Sequence, residues 1–390
     1  MNWFLTEEQQ MIKDVAREVA DKVIAPVSAK YEESEEFAWE CIEACAQADL
    51  FRVSIPEAYG GMVPSGSLGV FNQCLVVEEL SRVDAAIAVS YAASGLGFYP
   101  IIFFGNEEQK QKYLPDLADG KKLAAFGLTE ANAGSDAGGI QTKAVPDGDH
   151  YILNGTKQWI TNGGEADIYT VIAMTDPAKG SRGATAFIVE KGTPGFSFGK
   201  KEKKMGIRAS ATRELIFQDC RIPKENVLGR EGQGFIVAMK TLDHTRPGIG
   251  AQAVGIAQGA LDDAVNYARK RVQFGKPIIA QQAIQHMLAD MATSIEAARA
   301  LVYAVARSID AGTKDISKES AMVKLFCSDM AMKVTTDAVQ VFGGYGYMRE
   351  YPVEKRMRDA KITQIYEGTN QIQRNVIGLA LNKEYAGKKH

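Results

Sequence analysis

The sequence lacks the features that mark several special classes of protein. With 45 basic and 48 acidic residues, its formal net charge is −3, so the basic excess typical of nucleic-acid binding is absent. The N-terminus has neither the basic start and apolar stretch of a secretory signal nor the Arg- and Ser-rich character of a transit peptide. No apolar run approaches the length of a membrane span. We therefore expect a cytosolic protein, or a mature form already trimmed, without nucleic-acid or membrane partners.

Cysteine and histidine are also scarce. The five cysteines are odd in number and scattered: Cys41, Cys45, Cys74, Cys220 and Cys327. The four histidines are equally dispersed: His150, His244, His286 and His390. Cys41 and Cys45 stand four residues apart, but no second pair has the spacing of a zinc site. We expect reduced, buried thiols and no metal.

The composition is otherwise ordinary for a globular protein, with 46% hydrophobic and 24% charged residues. A chain of 390 residues exceeds the usual size of a single core, so two or three domains are expected. The basic cluster Lys200–Lys204 has two interpretations. A solvated loop is favoured over a phosphate site, because isolated charge runs are usually solvated.

Three regions follow one another along the chain. Residues 1–122 are predicted to be helical, and Thr6 with Gln9 has the spacing of a capping box. Residues 123–229 contain short apolar runs between turn residues, typical of a small antiparallel β domain. Helices return over residues 230–390. The overall class is therefore α+β. Pro247 is expected to kink or break the first helix of the last region.

Two motifs are candidates for chemistry. Glu367 lies on the glycine-flanked break Ile365–Asn370, where a carboxylate is free to point into a cleft. The loop Gly127–Asp136 combines glycines, which let a backbone approach a ligand, with small hydroxyl donors. Taken alone, such a glutamate is usually solvated surface and such a loop is often a plain turn. Trp159, at a predicted strand end, could pack in the core or stack on a flat aromatic ligand.

Two further segments are equally open when read alone. Gly343–Gly344 either simply ends a helix or, in addition, presents backbone amides that no side chain shields from a pyrophosphate. Arg271 ends a helix, where it is either a surface residue or a bidentate partner of phosphate.

Together these segments resemble the acyl-CoA dehydrogenase family over essentially the whole chain. The agreement is most extended over Gly127–Gly139 and from Gln340 to Asp359. Among its members the chain is most similar to the short-chain, butyryl-CoA type of bacteria, through Lys203–Arg208. The resemblance implies an N-terminal all-α domain (1–122), a middle antiparallel β domain (123–229) and a C-terminal four-helix bundle (230–390). A homotetramer in the bacterial cytoplasm is also implied.

The resemblance further implies FAD as cofactor and an acyl-CoA as substrate. Some of the residues implied to bind FAD would contact the FAD of a neighbouring subunit. The full set is Phe126, Leu128, Thr129, Gly134, Ser135, Trp159, Ile160, Thr161, Arg271, Phe274, Gln282, Gln340, Val341, Gly343, Gly344, Thr369, Asn370 and Gln371. Those implied to contact the substrate are Ser135, Asp243, His244, Thr245, Arg246, Tyr366 and Gly368.

Glu367 is implied to be the base that removes the α-proton while the β-hydrogen leaves as hydride to flavin N5. Some members carry the base at the position that Thr245 occupies here, which leaves Glu367 as the aligned candidate. Electrons would then pass to an electron-transferring flavoprotein. The alternatives are an acyl-CoA oxidase that uses oxygen and a non-catalytic flavoprotein that binds nucleic acid.

The acyl group is less defined by the resemblance. The helix expected to line its pocket, Ala85–Pro100, is rich in small residues, so a short- to medium-chain, branched or alicyclic group would fit. No basic residue occurs from Val83 to Phe103, which disfavours a dicarboxylic acyl group. The motif Asp243–Arg246 departs from the butyryl-type pattern and is nearer the medium-chain form.

Overall fold

The structure is a computed structural model that describes residues 3–386. Met1, Asn2 and the last four residues lie outside the described range, and so does His390, one of the four dispersed histidines for which no metal was expected. Helices occupy both ends of that range and strands occupy its middle, which confirms the predicted α+β class.

Six α-helices lie in the described part of the first 122 residues: α1 (Glu7–Val19), α2 (Ser28–Ser34), α3 (Trp39–Gln47), α4 (Val70–Val83), α5 (Ala85–Phe104) and α6 (Glu107–Ala118). The predicted capping box begins α1. Thr6 Oγ1 accepts the N–H of Gln9 at 3.2 Å, and Gln9 Oε1 accepts the N–H of Thr6 at 3.1 Å. Two backbone amides that the helix itself leaves free are thereby satisfied.

The most apolar element is α5, which begins at a cap formed by Asp84. The Asp84 carboxylate accepts the N–H groups of Ala86 and Ile87 at 2.8 and 3.1 Å. By length and composition this helix could cross a membrane, with a hydropathy of 1.6, so the expectation that no apolar run approaches that length is wrong. It is also 72% buried and packs against α4, α7 and β1, as expected for a helix that is apolar on all sides and lies in a core.

A sheet of eight strands forms the middle of the described chain: β1 (Ala124–Gly127), β2 (Lys143–Asp147), β3 (His150–Thr161), β4 (Ile168–Met174), β5 (Ala184–Glu190), β6 (Phe196–Phe198), β7 (Thr212–Pro223) and β8 (Val227–Leu228). The strand order is β6-β7-β3-β2-β4-β5-β8, and β1 pairs with β4. The predicted β domain is therefore confirmed.

The sheet is mixed rather than wholly antiparallel. β1 runs parallel to β4, with Gly127 opposite Val171, and Lys143 of β2 pairs with Met174 of β4 in the same sense. The remaining pairs are antiparallel. Strands β1 and β4 can run parallel because a long crossover through β2 and β3 joins them. Strands joined by a hairpin must instead be antiparallel.

Helices and one short hairpin make up the rest: α7 (Gly234–Lys270), β9 (Val272–Gln273), β10 (Lys276–Pro277), α8 (Gln282–Asp310), α9 (Ser317–Phe342), α10 (Val353–Thr363) and α11 (Asn370–Ala386). The long helix α7 packs against α8 and α9 in the C-terminal bundle and against α4 and α5 of the N-terminal region. The predicted helical bundle is confirmed.

Pro247 lies inside α7 without ending it. A break at this residue, one of the two outcomes expected, is therefore wrong. Proline removes the hydrogen bond to the carbonyl four residues earlier, but α7 is buried between other helices, whose packing holds the segment helical. The buried cysteine prediction is confirmed, since all five thiols are buried and free.

Candidate active site

Two adjoining cavities open where the sheet meets the helices of both ends. The first, of about 460 Å³, is lined on one side by α5 and is called the α5 cavity. The second, of about 650 Å³, is lined on one side by α10 and is called the α10 cavity. Eight residues, all predicted site residues, line both cavities: Thr129, Gly134, Ser135, Trp159, Thr161, Tyr366, Glu367 and Gly368. Other predicted residues line one of them: Phe126, Leu128, Ile160, Thr245 and Arg246 the α5 cavity, and Thr369 the α10 cavity.

Glu367 sits between α10 and α11 in a left-handed backbone conformation, with φ of 52°. This conformation is costly for a residue with a side chain and persists where surrounding contacts fix it. Here Gln373 Nε2 and Lys324 Nζ donate to the carbonyl of Gly368 at 2.9 and 2.7 Å. Lys324 Nζ also donates to Asn370 Oδ1 at 2.8 Å. Lys324 and Gln373 therefore hold the turn, and the carboxylate of Glu367 is directed into the cavities.

The carboxylate of Glu367 has one hydrogen-bond donor from a distant part of the chain, because Thr245 Oγ1 donates to Oε2 at 2.8 Å. Burial raises the pKa of Glu367 to about 7, against the opposing effects of the Thr245 hydrogen bond and of the positive charges of Arg246 and Lys324. A carboxyl group whose pKa lies near neutrality is suited to accept a proton from a bound molecule.

Lys324 is a site residue that the sequence reasoning missed. It is fully buried on α9, where burial lowers the pKa of its ammonium to about 7 despite the neighbouring charge of Glu367. The sequence signal that could have found it is a lysine that shares one helix face with small residues. Ala321, Ser328 and Ala331 of that face are as fully buried as Lys324. Lysine is almost never fully buried without partners, so this position indicated a polar site.

The loop after β1 is anchored by a buried ion pair. Lys157 Nζ, fully buried on β3, donates to Glu130 Oε1 at 2.7 Å and to the carbonyl of Leu128 at 3.0 Å. Glu130 also accepts the backbone N–H groups of Gln141 and Thr142 at 2.7 and 2.9 Å. Burial opposes ionisation of Glu130, but the charge and hydrogen bonds of Lys157 hold the pKa of that carboxyl below its usual value. The glycine-rich loop is thus rigid at its base.

Trp159 reaches both cavities because of an irregularity in β3. The pairing of β3 with β7 shifts register between Lys157 and Ile160, and Trp159 there has φ of 59°. A bulge of this kind redirects a side chain out of the strand's alternation, and Trp159 is 57% exposed. Of the two interpretations offered for this tryptophan, the core residue is wrong.

A flat cofactor fits these residues. Trp159 presents an indole surface, and the hydroxyl groups of Thr129 and Thr161 line both cavities. Within residues 3–386 neither hydroxyl has a hydrogen-bond partner in the protein, so both are available to a ligand with polar edges. Gly134 leaves open space beside the loop, since a side chain there would meet no neighbouring atom. This set of donors beside an aromatic wall suits the isoalloxazine ring of FAD.

The basic cluster 200–204 also contributes to the site. Lys203 and Lys204 line the α10 cavity, and Lys204 Nζ donates to the carbonyl of Ser210 at 2.7 Å. Burial lowers the pKa of Lys204 to about 8. A wholly solvated loop, the favoured interpretation, therefore does not describe Lys204.

Several predicted residues lie away from both cavities. Arg271, Val341, Gly343 and Gly344 line a separate groove, where the Arg271 guanidinium lies 5.1 Å from the ring centre of Tyr345. Four others are exposed on the surface: Phe274, Gln282, Gln340 and Gln371. Exposure is what a contact with a neighbouring subunit's cofactor requires, so their role stays a prediction.

Three predicted residues line neither cavity. Asp243 accepts from Arg246 Nη1 at 2.7 Å and thereby orients that guanidinium. His244 packs on the ring of Phe103, with 4.7 Å between ring centres. Asn370 is buried, and its amide donates to Ser328 Oγ at 2.9 Å.

Sequence models of one family match three consecutive parts of the chain. The acyl-CoA dehydrogenase N-terminal domain matches residues 6–121, the middle domain matches residues 125–220, and the C-terminal domain matches residues 232–381.

Individual relatives are similar over nearly their whole length. An acyl-CoA dehydrogenase of Bacillus subtilis is 50% identical over 374 residues, which cover 96% of this chain and 97% of the relative. The structure of butyryl-CoA dehydrogenase from Megasphaera elsdenii is 51% identical, with a TM-score of 0.94, and covers 98% of this chain and 100% of that chain. A chain in the structure described as the electron transferring flavoprotein of Acidaminococcus fermentans is 54% identical, with a TM-score of 0.94, over 98% of this chain and 99% of that chain.

Proposed function

Because the chain belongs to the acyl-CoA dehydrogenase family, we propose that it is an FAD-dependent enzyme that oxidises an acyl-CoA to the 2,3-enoyl-CoA, with Glu367 as the base. One observation carries the proposal. The carboxylate of Glu367 faces both cavities, its pKa is raised to about 7, and it lies beside residues that suit a flavin ring. Glu367 thus lies in the wall of both cavities, between which the proposal divides the substrate and the flavin ring.

The proposed reaction begins when the thioester carbonyl is polarised. The backbone N–H of Glu367 has no acceptor within residues 3–386, so it is free to donate to that oxygen. Charge that develops on the enolate oxygen is stabilised by a donor already in position. The Glu367 carboxylate then accepts the α-proton. Thr245 holds the carboxylate oriented through its 2.8 Å hydrogen bond.

Bound FAD would supply the acceptor for the hydride that leaves the β-carbon. The residues proposed to hold its ring are Phe126, Leu128, Thr129, Trp159, Ile160 and Thr161, with Ser135 and Gly134 at the loop. Residues of the separate groove, Arg271 and Val341–Gly344, are proposed to reach the cofactor of a neighbouring subunit in a homotetramer.

The proposed substrates are short- to medium-chain acyl groups, including branched or alicyclic ones. Ala92 and Ala93 of α5 line the cavity together with Val89 and Leu96, so the acyl end is apolar and wide. No basic side chain occurs from Val83 to Phe103 to pair with a distal carboxylate. The likeness to a butyryl-CoA dehydrogenase supports the short end of this range.

We further propose that an electron-transferring flavoprotein accepts the electrons in the cytoplasm of a bacterium. The support is the 54% identity to a chain in a structure described by that flavoprotein's name.

The proposal is tested by mixing the FAD-loaded protein anaerobically with butyryl-, isobutyryl-, octanoyl- and cyclohexanecarboxyl-CoA. At least one thioester should bleach the flavin absorbance and yield the enoyl-CoA. Electron-transferring flavoprotein should then restore the yellow colour faster than air does. Rapid peroxide formation on admitting air would instead identify an oxidase, and a chain that no thioester bleaches would refute the proposed reaction.

A further inference from the structure

The deep end of the α5 cavity contains an amide among apolar side chains. Gln73 of α4 lines the cavity and is only 7% exposed. Its neighbours in that wall, Val77, Val89 and Ala93, are buried to at least the same degree. Ser135 and Asp136, which line the same cavity, are exposed. The cavity is therefore closed at Gln73 and open beyond the loop, with Glu367 also in its wall.

The orientation of this amide is fixed by two contacts. Tyr99 Oη donates to Gln73 Oε1 at 3.0 Å, and Tyr99 is itself fully buried. Gly95 of α5 leaves the space that Nε2 occupies, because a Cβ at that position would lie 2.5 Å from it. Neither contact uses the two protons of Nε2. Within residues 3–386 that nitrogen donates to no acceptor, and it belongs to a residue in the cavity wall.

We propose that Gln73 sets the upper limit on acyl length, so that the enzyme prefers short acyl groups and rejects straight chains long enough to reach the amide. The inference rests on the proposed function, since it assigns the part of the α5 cavity lined by α4 and α5 to the acyl group. A short acyl group leaves the end of the cavity to water, which accepts from Nε2. A longer alkyl chain displaces that water and offers no acceptor in return, which leaves a buried donor unpaired.

Width and length are thus controlled by different residues. Ala92 and Ala93 leave lateral room, so branching near the thioester is tolerated. The limit at Gln73 acts on depth alone. The resulting substrate class is short but laterally bulky, and it excludes long straight acyl groups.

The test compares affinities in a chain that binds thioesters without turning them over. With Glu367→Gln as the common background, the dissociation constants of butyryl-, hexanoyl- and octanoyl-CoA are measured with FAD bound. Gln73→Met keeps the length of the side chain and removes its polar atoms. It should tighten octanoyl-CoA relative to butyryl-CoA by tenfold or more, the equivalent of about 1.4 kcal/mol. Tyr99→Phe, which frees the amide to turn away, should shift the ratio in the same direction by a smaller factor.

Gln258→Met on α7 is the matched control, because Gln258 does not line the cavity and should leave the ratio unchanged. All variants are first checked for flavin content and melting temperature. A folded Gln73→Met variant with an unchanged ratio would overturn the length limit, as would a parent protein that prefers octanoyl-CoA. Either result leaves the proposed function intact if the parent flavin is still bleached by butyryl-CoA. Failure of every thioester to bleach it would refute the proposed function instead.

Discussion

Thr245 Oγ1 donates to Glu367 Oε2 at 2.8 Å, across 122 positions of sequence. Thr245 lies on α7 and Glu367 on the turn between α10 and α11, so the contact exists only because these elements pack together. The family resemblance implies that the base stands at one or the other of these two positions. Their direct contact gives the physical reason, because a carboxylate built on either backbone reaches the same part of the cavity.

The base should therefore be transferable. The double substitution Thr245→Glu with Glu367→Gly is expected to recover part of the flavin reduction that Glu367→Gly alone abolishes. Glycine suits position 367 because its backbone φ is 52°. Stopped-flow reduction by butyryl-CoA measures the recovery. Equal rates in the single and double variants would show that the two positions do not share a proton path.

Glu367→Gln should retain FAD and lose about a hundredfold to ten-thousandfold in the rate of flavin reduction. The amide keeps the shape of the side chain but cannot accept the α-proton. Glu202→Gln is the control, since Glu202 also lines the α10 cavity but is not the proposed base. A Glu367→Gln variant that reduces at the parental rate would place the base elsewhere.

The rate of flavin reduction should depend on pH through Glu367. Its pKa is raised to about 7, so kcat/KM should fall as the pH drops below about 7 and the carboxylate becomes protonated. The charge of Lys324 favours the ionised carboxylate and thus lowers that pKa. Lys324→Met should therefore move the acid limb to higher pH.

The control for Lys324→Met is Lys333→Met. Lys333 is an exposed residue of the same helix, and its ammonium pairs with Asp337 at 2.7 Å. This control should keep the parental profile. If Lys324→Met only lowered the rate equally at every pH, Lys324 would support the turn through its hydrogen bonds and not through its charge.

Breaking the buried ion pair should loosen the cofactor loop. Lys157→Met leaves Glu130 buried without its cation, which is expected to cost about 3–5 kcal/mol of unfolding free energy. FAD content should fall as well, because Lys157 also holds the carbonyl of Leu128. Denaturant unfolding and the flavin-to-protein absorbance ratio measure both effects. The exposed pair of Arg221 with Asp147 is the comparison, and Arg221→Gln should cost at most about 1 kcal/mol.

Arg271→Ala should reduce FAD retention and weaken the homotetramer, if the groove beside Tyr345 receives a neighbouring subunit's cofactor. Arg269→Ala, at an exposed position two residues earlier in the last turn of α7, should have neither effect. Flavin content and light-scattering mass are the measurements. Parental values for both in Arg271→Ala would make that arginine an ordinary surface residue.

Local patterns were reliable where neighbouring residues decide the structure. The capping box at Thr6, the order of helical and β regions and the helix-free turn at Glu367 could all be predicted, because each depends on contacts within a few residues. Of the two outcomes expected at Pro247, a kink or a break, the break was wrong, because packing around α7 holds the segment helical despite the missing hydrogen bond. The direction of β1 was missed because its partner β4 follows two other strands.

By itself the sequence determined the class of fold and the family, and it indicated Glu367 as the candidate base, since these depend on residue type and spacing. Only the tertiary structure decided which groups act on that glutamate. Thr245 and Arg246 come from α7 and Lys324 comes from α9. Burial raises the pKa of Glu367 to about 7, and these three groups act in the opposite direction. Burial and charge separation are properties of the packed molecule, so no local pattern contains them.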